Sequence, residues 1–238
     1  MKNKLMFISS LAVCCFALVA CGSQDKPSDG GSSGGDGQTE LSNFEKALSS
    51  VSNYNIRTTN GFDYSIKQFY SSEIVNSKSI QLRVKFDDGT QAKKIENTKS
   101  LNTYGQGEQF TTTEKTTYFR NNQICENDGS GWTWRTYDES EYLKTGLSSF
   151  SLNKDYFSNI TETKEGTDIR FSADIPANYV KTVLGNDANG FTQVKASLLV
   201  KNDYSLMKSL TFTYNQEKTN SEVSFVSVFD SGTIDFPQ

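Results

Sequence analysis

Between Ile80 and Asp87 the chain alternates without a break. Ile80, Leu82, Val84 and Phe86 are apolar, and Gln81, Arg83, Lys85 and Asp87 are polar. Successive strand residues face opposite sides, so the pattern predicts a strand with one dry face and one wet face. Asp88-Gly89 follows as a hairpin turn, and Gln91 to Thr98 reads as the returning strand. The same grammar repeats downstream. Thr111 to Arg120 is rich in Thr and aromatics, and Asn121-Asn122 turns it into Gln123 to Glu126. Asp128-Gly129-Ser130-Gly131 turns the chain again into Trp132 to Tyr137. Short connections of this kind join antiparallel neighbours. Segments 54–59 and 62–75 are strand-like with a less regular pattern.

The last part of the chain reads as strand as well. Strands are expected near Ile169 and Phe171, then over Phe191 to Val200, Leu206 to Tyr214 and Glu222 to Phe229, with turns at Asn202-Asp203 and Asn215 to Thr219. Leu210, Phe212 and Tyr214 share one face, and Val223 and Phe225 another. Ile234 and Phe236 close the chain as a terminal strand before Pro237. No period of 20–50 residues recurs, which excludes a solenoid or propeller.

Helices are few. Leu41, Phe44, Leu48 and Val51 recur at helical spacing over 41–53, and Ser42 with Glu45 has capping-box spacing. Leu143, Leu147 and Phe150 predict a helical interlude, extended by Tyr156 and Phe157. A third helix is expected over 175–185, with Pro176 in its first turn and Gly185-Asn186 after its end. The first of these has a narrow apolar stripe and suits lying on a sheet. The expected fold is mainly β, of the α+β kind.

The N-terminus has a different composition. Lys2 and Lys4 precede the apolar run Leu5 to Ala17, which is short for a bilayer span. Leu18-Val19-Ala20-Cys21 follows, a small-residue cleavage site closed by a cysteine. It matches at every position the lipobox of bacterial lipoproteins, whose cysteine takes diacylglycerol and becomes the new N-terminus. The alternative is an ordinary secretory signal with a coincidental cysteine. Gly22 follows Cys21, not the aspartate that retains some lipoproteins at an inner membrane. Residues 22–40, with Gly30-Gly31-Ser32-Ser33-Gly34-Gly35, cannot bury apolar surface and read as a tether. About 19 such residues span roughly 25 Å. The chain therefore divides into a signal peptide at 1–20, a lipidated Cys21 with its linker at 21–40, and one domain at 41–238.

Charge and residue types then exclude several functions. The formal charge is −4. Lys2 and Lys4 leave with the signal, so the rest carries 22 basic against 28 acidic residues, or −6. Such a surface lacks the basic footprint that nucleic acid requires, and the sequence offers no polybasic patch for an anionic lipid surface. Histidine is absent, which removes Ser-His-Asp and Cys-His catalysis and the commonest metal ligand. Ser151 with Lys154, Ser205 with Lys208, and Lys144-Thr145-Gly146 echo penicillin-binding motifs in the wrong order, with no Ser-Asp-Asn. Asp87-Asp88-Gly89 and Glu126-Asn127-Asp128-Gly129 lack calcium-loop spacing and sit where turns are needed. No catalytic residue, metal site or cofactor is expected, and alternating β-α units of a two-domain solute receptor are missing.

Cys14 and Cys15 belong to the signal, which leaves Cys125 without a disulfide partner, read as a packed small hydrophobe. Trp132 and Trp134 lie two apart and share a strand face; they either stack on sugar rings or pack inward. The one-sided strands and few helices leave two alternatives open: an apolar cleft for a ligand, or a filled core.

The order of lipobox, tether, amphipathic helix, hairpins, central helical stretch and final strands resembles the LolA/LolB and LppX-like lipoprotein family. The resemblance runs through Phe44 to Val51 with Tyr54, Tyr118-Phe119-Arg120-Asn121-Asn122 to Trp132, the helix after Pro176, and Ile234-Asp235-Phe236-Pro237. It covers nearly all of 41–238 in pattern, without a diagnostic motif. The resemblance implies a curved antiparallel half-barrel sheet wrapped around a few short helices, holding a lipid or lipid anchor in its hollow. By that implication the hollow is lined by Ile80, Leu82, Val84, Phe86, Leu198, Phe212 and Phe225. The expected protein is a monomer on the extracytoplasmic face of the cell membrane, anchored through Cys21. It would bind a lipid or another apolar molecule, and would be neither an enzyme nor a nucleic-acid binder. The rival expectation is an adhesion module that faces carbohydrate through Trp132 and Trp134.

Overall fold

The computed structural model describes residues 41–70, 73–87, 89–102, 109–185, 191, 194–216 and 219–237. The signal, Cys21 and tether assignments lie outside the described residues. Eleven strands form one antiparallel sheet: β1 Gly61–Tyr70, β2 Glu73–Lys85, β3 Gln91–Asn102, β4 Gln109–Arg120, β5 Gln123–Asn127, β6 Trp132–Thr136, β7 Ser158–Glu165, β8 Asp168–Ile175, β9 Val194–Lys201, β10 Met207–Gln216 and β11 Thr219–Val228. Their order is β6-β5-β4-β3-β2-β1-β11-β10-β9-β8-β7. Every neighbour except β1 and β11 is also adjacent in sequence. The sheet is open, with β6 and β7 as its edges.

Among the described residues three short α-helices, α1 Asn43–Ser52, α2 Glu139–Tyr142 and α3 Ala177–Leu184, accompany the sheet. Eleven strands spaced about 4.8 Å apart make a sheet roughly 48 Å across. The helices, 22 residues together, reach about 33 Å laid end to end. A flat sheet would leave much of its dry face bare; this one curls over the helices as a half-barrel.

Contacts to the helical side run along the width of the sheet. Phe44 of α1 meets Phe171 of β8, Tyr54 meets Phe225 of β11, and Tyr142 of α2 stacks on Phe119 of β4. All belong to one core. Phe62, Phe119, Phe171, Phe212 and Phe225 are at most 2% exposed, and burying each contributes about 1.5–3 kcal/mol. The capping box at α1 forms as its spacing predicts: Ser42 accepts from the Glu45 backbone, and Glu45 accepts from the Ser42 amide.

Several local expectations are corrected. Segment 54–59 is not a strand; Asn55 caps a 3-10 turn at Ile56–Thr58. The central interlude is α2 followed by two 3-10 turns at Leu147–Ser149 and Lys154–Tyr156. Gly146, at φ 74°, breaks the helical run that Leu143, Leu147 and Phe150 suggest. Leu210 pairs with Phe225 and Phe212 with Val223, so β10 and β11 present these residues on one common face.

Residues 229–237 form no strand. Ile234 and Phe236 of this segment pack on the outer face of the sheet, where they join Tyr118, Cys125, Trp132 and Trp134. Strand β7, unexpected from its sequence, is the other edge.

Candidate functional site

The helical side of the sheet is its concave face, and strand register orders its side chains into rows. In one row Leu198, Leu210, Phe225, Tyr64 and Ile80 are successive cross-strand neighbours, and Glu96 and Lys115 continue it. In the next, Ala196, Phe212, Val223 and Ile66 give way to Lys78, Thr98 and Thr113. On the other side, Phe62 and Leu82 give way to Lys94, Thr117 and Glu126. A fourth row holds Val84, Ala92, Phe119 and Ile124 before Arg135. Directly opposed residues on antiparallel strands share a face. The concave face therefore has one apolar region and one polar region, meeting along a diagonal from β1/β2 to β5/β6.

The apolar region is largely filled. Leu82, Val84, Leu198, Phe212 and Phe225 are at most 2% exposed and lie in the core. Phe150 covers Phe212, and Tyr54 and Phe62 cover Phe225. Ile80 and Phe86 are half-buried, and the Arg57 guanidinium sits 4.7 Å over the Phe86 ring. Of the seven positions the resemblance implies, Ile80 alone lies on the polarity boundary and half open. Ile66 and Tyr64, half-buried beside it, complete the boundary.

The polar region is charged. Its four rows between β2 and β6 hold Lys78, Lys94, Lys115 and Arg135 against Glu96 and Glu126, a net of two positive charges in a chain of net charge −4. Glu126 accepts from Lys115 at 2.7 Å and from Arg135 at 2.7 Å and 3.2 Å. The Lys115 hydrogen bond first, with Arg135 beside it, holds the Glu126 carboxyl below the usual range.

Lys94 is half-buried, and its ammonium lies 4.4 Å from the Tyr142 ring centroid. Among the described residues no carboxylate pairs with it. Burial pushes its pKa down; Glu96 and Glu126 oppose that, and Lys115 adds to it. Burial drives the Tyr142 hydroxyl strongly upward, so it stays a donor, to the Thr117 carbonyl at 2.9 Å.

The turn and lysine motifs of the sequence are engaged in local structure. Asn127 and Asp128 accept from the amides of Gly129 and Ser130, as turn residues do. Asp88 lies outside the described residues. Ser205 donates to Asp203, while Lys208 pairs with Asp168 at 2.6 Å and Lys154 with Glu45 at 3.6 Å. Lys144 pairs with Glu141. Cys125 is fully buried and its thiol is pushed up, first by burial.

Trp132 and Trp134 share a face, as their spacing predicts, and both are half-buried. Tyr118 meets Trp132 edge-on, and the Arg120 guanidinium lies 4.4 Å over Trp134 and 4.9 Å over Phe236. A separate cleft of about 710 Å³ lies among Arg57, Asn122, Tyr137, Asp138, Glu139 and Leu143. Its charged groups serve each other and α2: Arg57 pairs with Glu139 at 2.7 Å, and Asp138 caps the helix.

No family model matches the chain, and no curated protein matches it. Among solved structures, the crystal structure of LprF from Mycobacterium bovis is similar at 9% identity, covering 82% of this chain and 97% of that one, with a TM-score of 0.35. That likeness is too slight to assign a ligand.

Proposed function

We propose that this chain is a lipoprotein held on the extracytoplasmic face of a membrane by a lipidated Cys21, and that its concave face binds or carries a lipid or similar amphiphile. The observation that carries the ligand reading is the polarity boundary through Ile66, Ile80 and Lys94. An amphiphile has the same division. Its apolar part lies along Ile66 and Ile80, and its head meets the charged rows. Deeper contact with Leu82, Val84, Leu198, Phe212 or Phe225 requires the covering side chains, Phe150 and Tyr54 among them, to move aside. A pre-filled apolar hollow of this kind opens only as a ligand supplies the lost contacts.

The role is binding and not turnover. The chain has no histidine, and of the serine–lysine pairs suggested by spacing Lys154 and Lys208 pair with carboxylates and Ser205 donates to Asp203. Nucleic acid is no partner for a domain of this charge. The carbohydrate reading has no supporting observation, because one face of Trp134 already carries Arg120.

The address is tested by Cys21→Ser, which is expected to move a folded domain out of the membrane fraction; retention there would overturn the anchor. The ligand is tested on the full chain extracted from membranes, by native mass spectrometry and organic extraction. A lipid beyond the anchor is expected, and it should be lost in an Ile66→Asp/Ile80→Asp variant that keeps its β signal. Full chain that carries no such lipid and takes none up from mixed micelles would overturn the reading.

A further inference from the structure

Resting on that reading, we propose that the amphiphile carries a phosphate on its head group, and that Lys94 with Lys115 grips it. Three observations on the concave face converge on this. The first is charge: the polar rows of β2–β6 are net positive by two within an acidic chain, which complements a phosphate monoester of about −1.5 to −2.

The second is the state of Lys94. Its ammonium rests on the Tyr142 ring, and among the described residues it has no ion-pair partner. Burial already disfavours its charge, so an anion arriving there meets a cation that gains from it.

The third is placement. Lys115 opposes Glu96, two residues along β3 from Lys94, so the two lysines are diagonal neighbours on adjacent strands. Such positions lie about 7–8 Å apart, close enough for two ammonium groups to meet one phosphate. Lys115 is 58% exposed and pairs with Glu126 at 2.7 Å; Arg135 holds the same carboxylate with two further hydrogen bonds, so Glu126 keeps a partner when Lys115 turns to a phosphate. Two acids face the pair: Glu126, which Arg135 also holds, and Glu96, which sits on the Ile80 side. A phosphate between Lys94, Lys115 and Thr117 leaves the acyl chains directed along Ile80 and Ile66.

The test compares binding of dioleoyl phosphatidic acid and dioleoylglycerol to the full chain in neutral mixed micelles at low salt. The acyl chains are identical, so the comparison isolates the phosphate. The wild type is expected to prefer the phosphate lipid about tenfold or more, as charge-assisted hydrogen bonds allow. Lys94→Met should abolish that preference, bringing affinity for the phosphate lipid down to that for dioleoylglycerol. Lys94→Arg should keep it, and so should Lys201→Met, at an exposed position on the end of β9. Equal affinity for the two lipids, or a preference that survives Lys94→Met, overturns the inference and leaves the apolar-ligand reading standing. Inorganic phosphate that displaces the lipid at equal concentration also overturns it, by marking a site for a free anion. If neither lipid binds, the ligand reading falls with it.

Discussion

At the scale of single residues, two positions carry consequences that can be measured. Gly61 opens β1 at φ 137°, and a β-carbon there would run into the carbonyl of Leu82 across the ladder. Only glycine tolerates both the angle and the approach. Gly61→Ala is expected to cost about 3 kcal/mol, through strain and local separation of β1 from β2; urea unfolding measures it. Glu126 is the second. Its carboxyl pKa is depressed in the folded chain by Lys115 and Arg135. A depressed carboxylate stabilises the fold above its unfolded value, about 4.3, and that contribution is lost as pH falls through the folded value. Between about pH 6 and pH 3 the wild type should therefore lose stability more steeply than Glu126→Gln, a difference that unfolding midpoints across the range would show. Reading residues from sequence succeeds where alternation is strict. Leu82 and Val84 are buried at 0% exposure as their pattern predicts. It fails for Lys94 and Glu96, which sit in a run polar on both faces. Only the register with Leu82 and Ile80 tells which way they point.

At the scale of elements, the strands with a dry face were legible and those without one were not. Seven of the eight residues of β7 are exposed. It borders the sheet beyond the core, so no apolar alternation marks it. The C-terminal segment misleads in the opposite way. Ile234 and Phe236 have strand spacing, yet they serve as anchors on the outer face, with Phe236 against Tyr118, Trp134 and Arg120. Phe236→Ala should cost about 1–2 kcal/mol and shift tryptophan emission to the red as Trp134 gains water. Unchanged emission would mean that the segment does not hold this face. The helical interlude is shorter than the apolar spacing of Leu143, Leu147 and Phe150 suggests, because Gly146 at φ 74° interrupts it. A left-handed residue ends a helix whatever its neighbours are.

At the scale of the whole molecule, the half-barrel sorts its concave face along a diagonal. Strands β8 to β11 and β1 bring apolar side chains, as does the row Val84, Ala92, Phe119 and Ile124, while the remaining rows of β3–β6 bring charged and polar ones. The step between them, at Ile66 beside Lys78, Ile80 beside Glu96 and Leu82 beside Lys94, is set by the register of the β1–β2–β3 hairpins, which alternation within one strand does not reveal. The most direct test uses a phosphate-headed lipid with a photoreactive group in its acyl chain, cross-linked to the full chain and mapped by peptide mass spectrometry. Adducts on the β1 and β2 peptides that contain Ile66 and Ile80 are the predicted result. Adducts confined to the outer face, around Trp134 and Phe236, would contradict it.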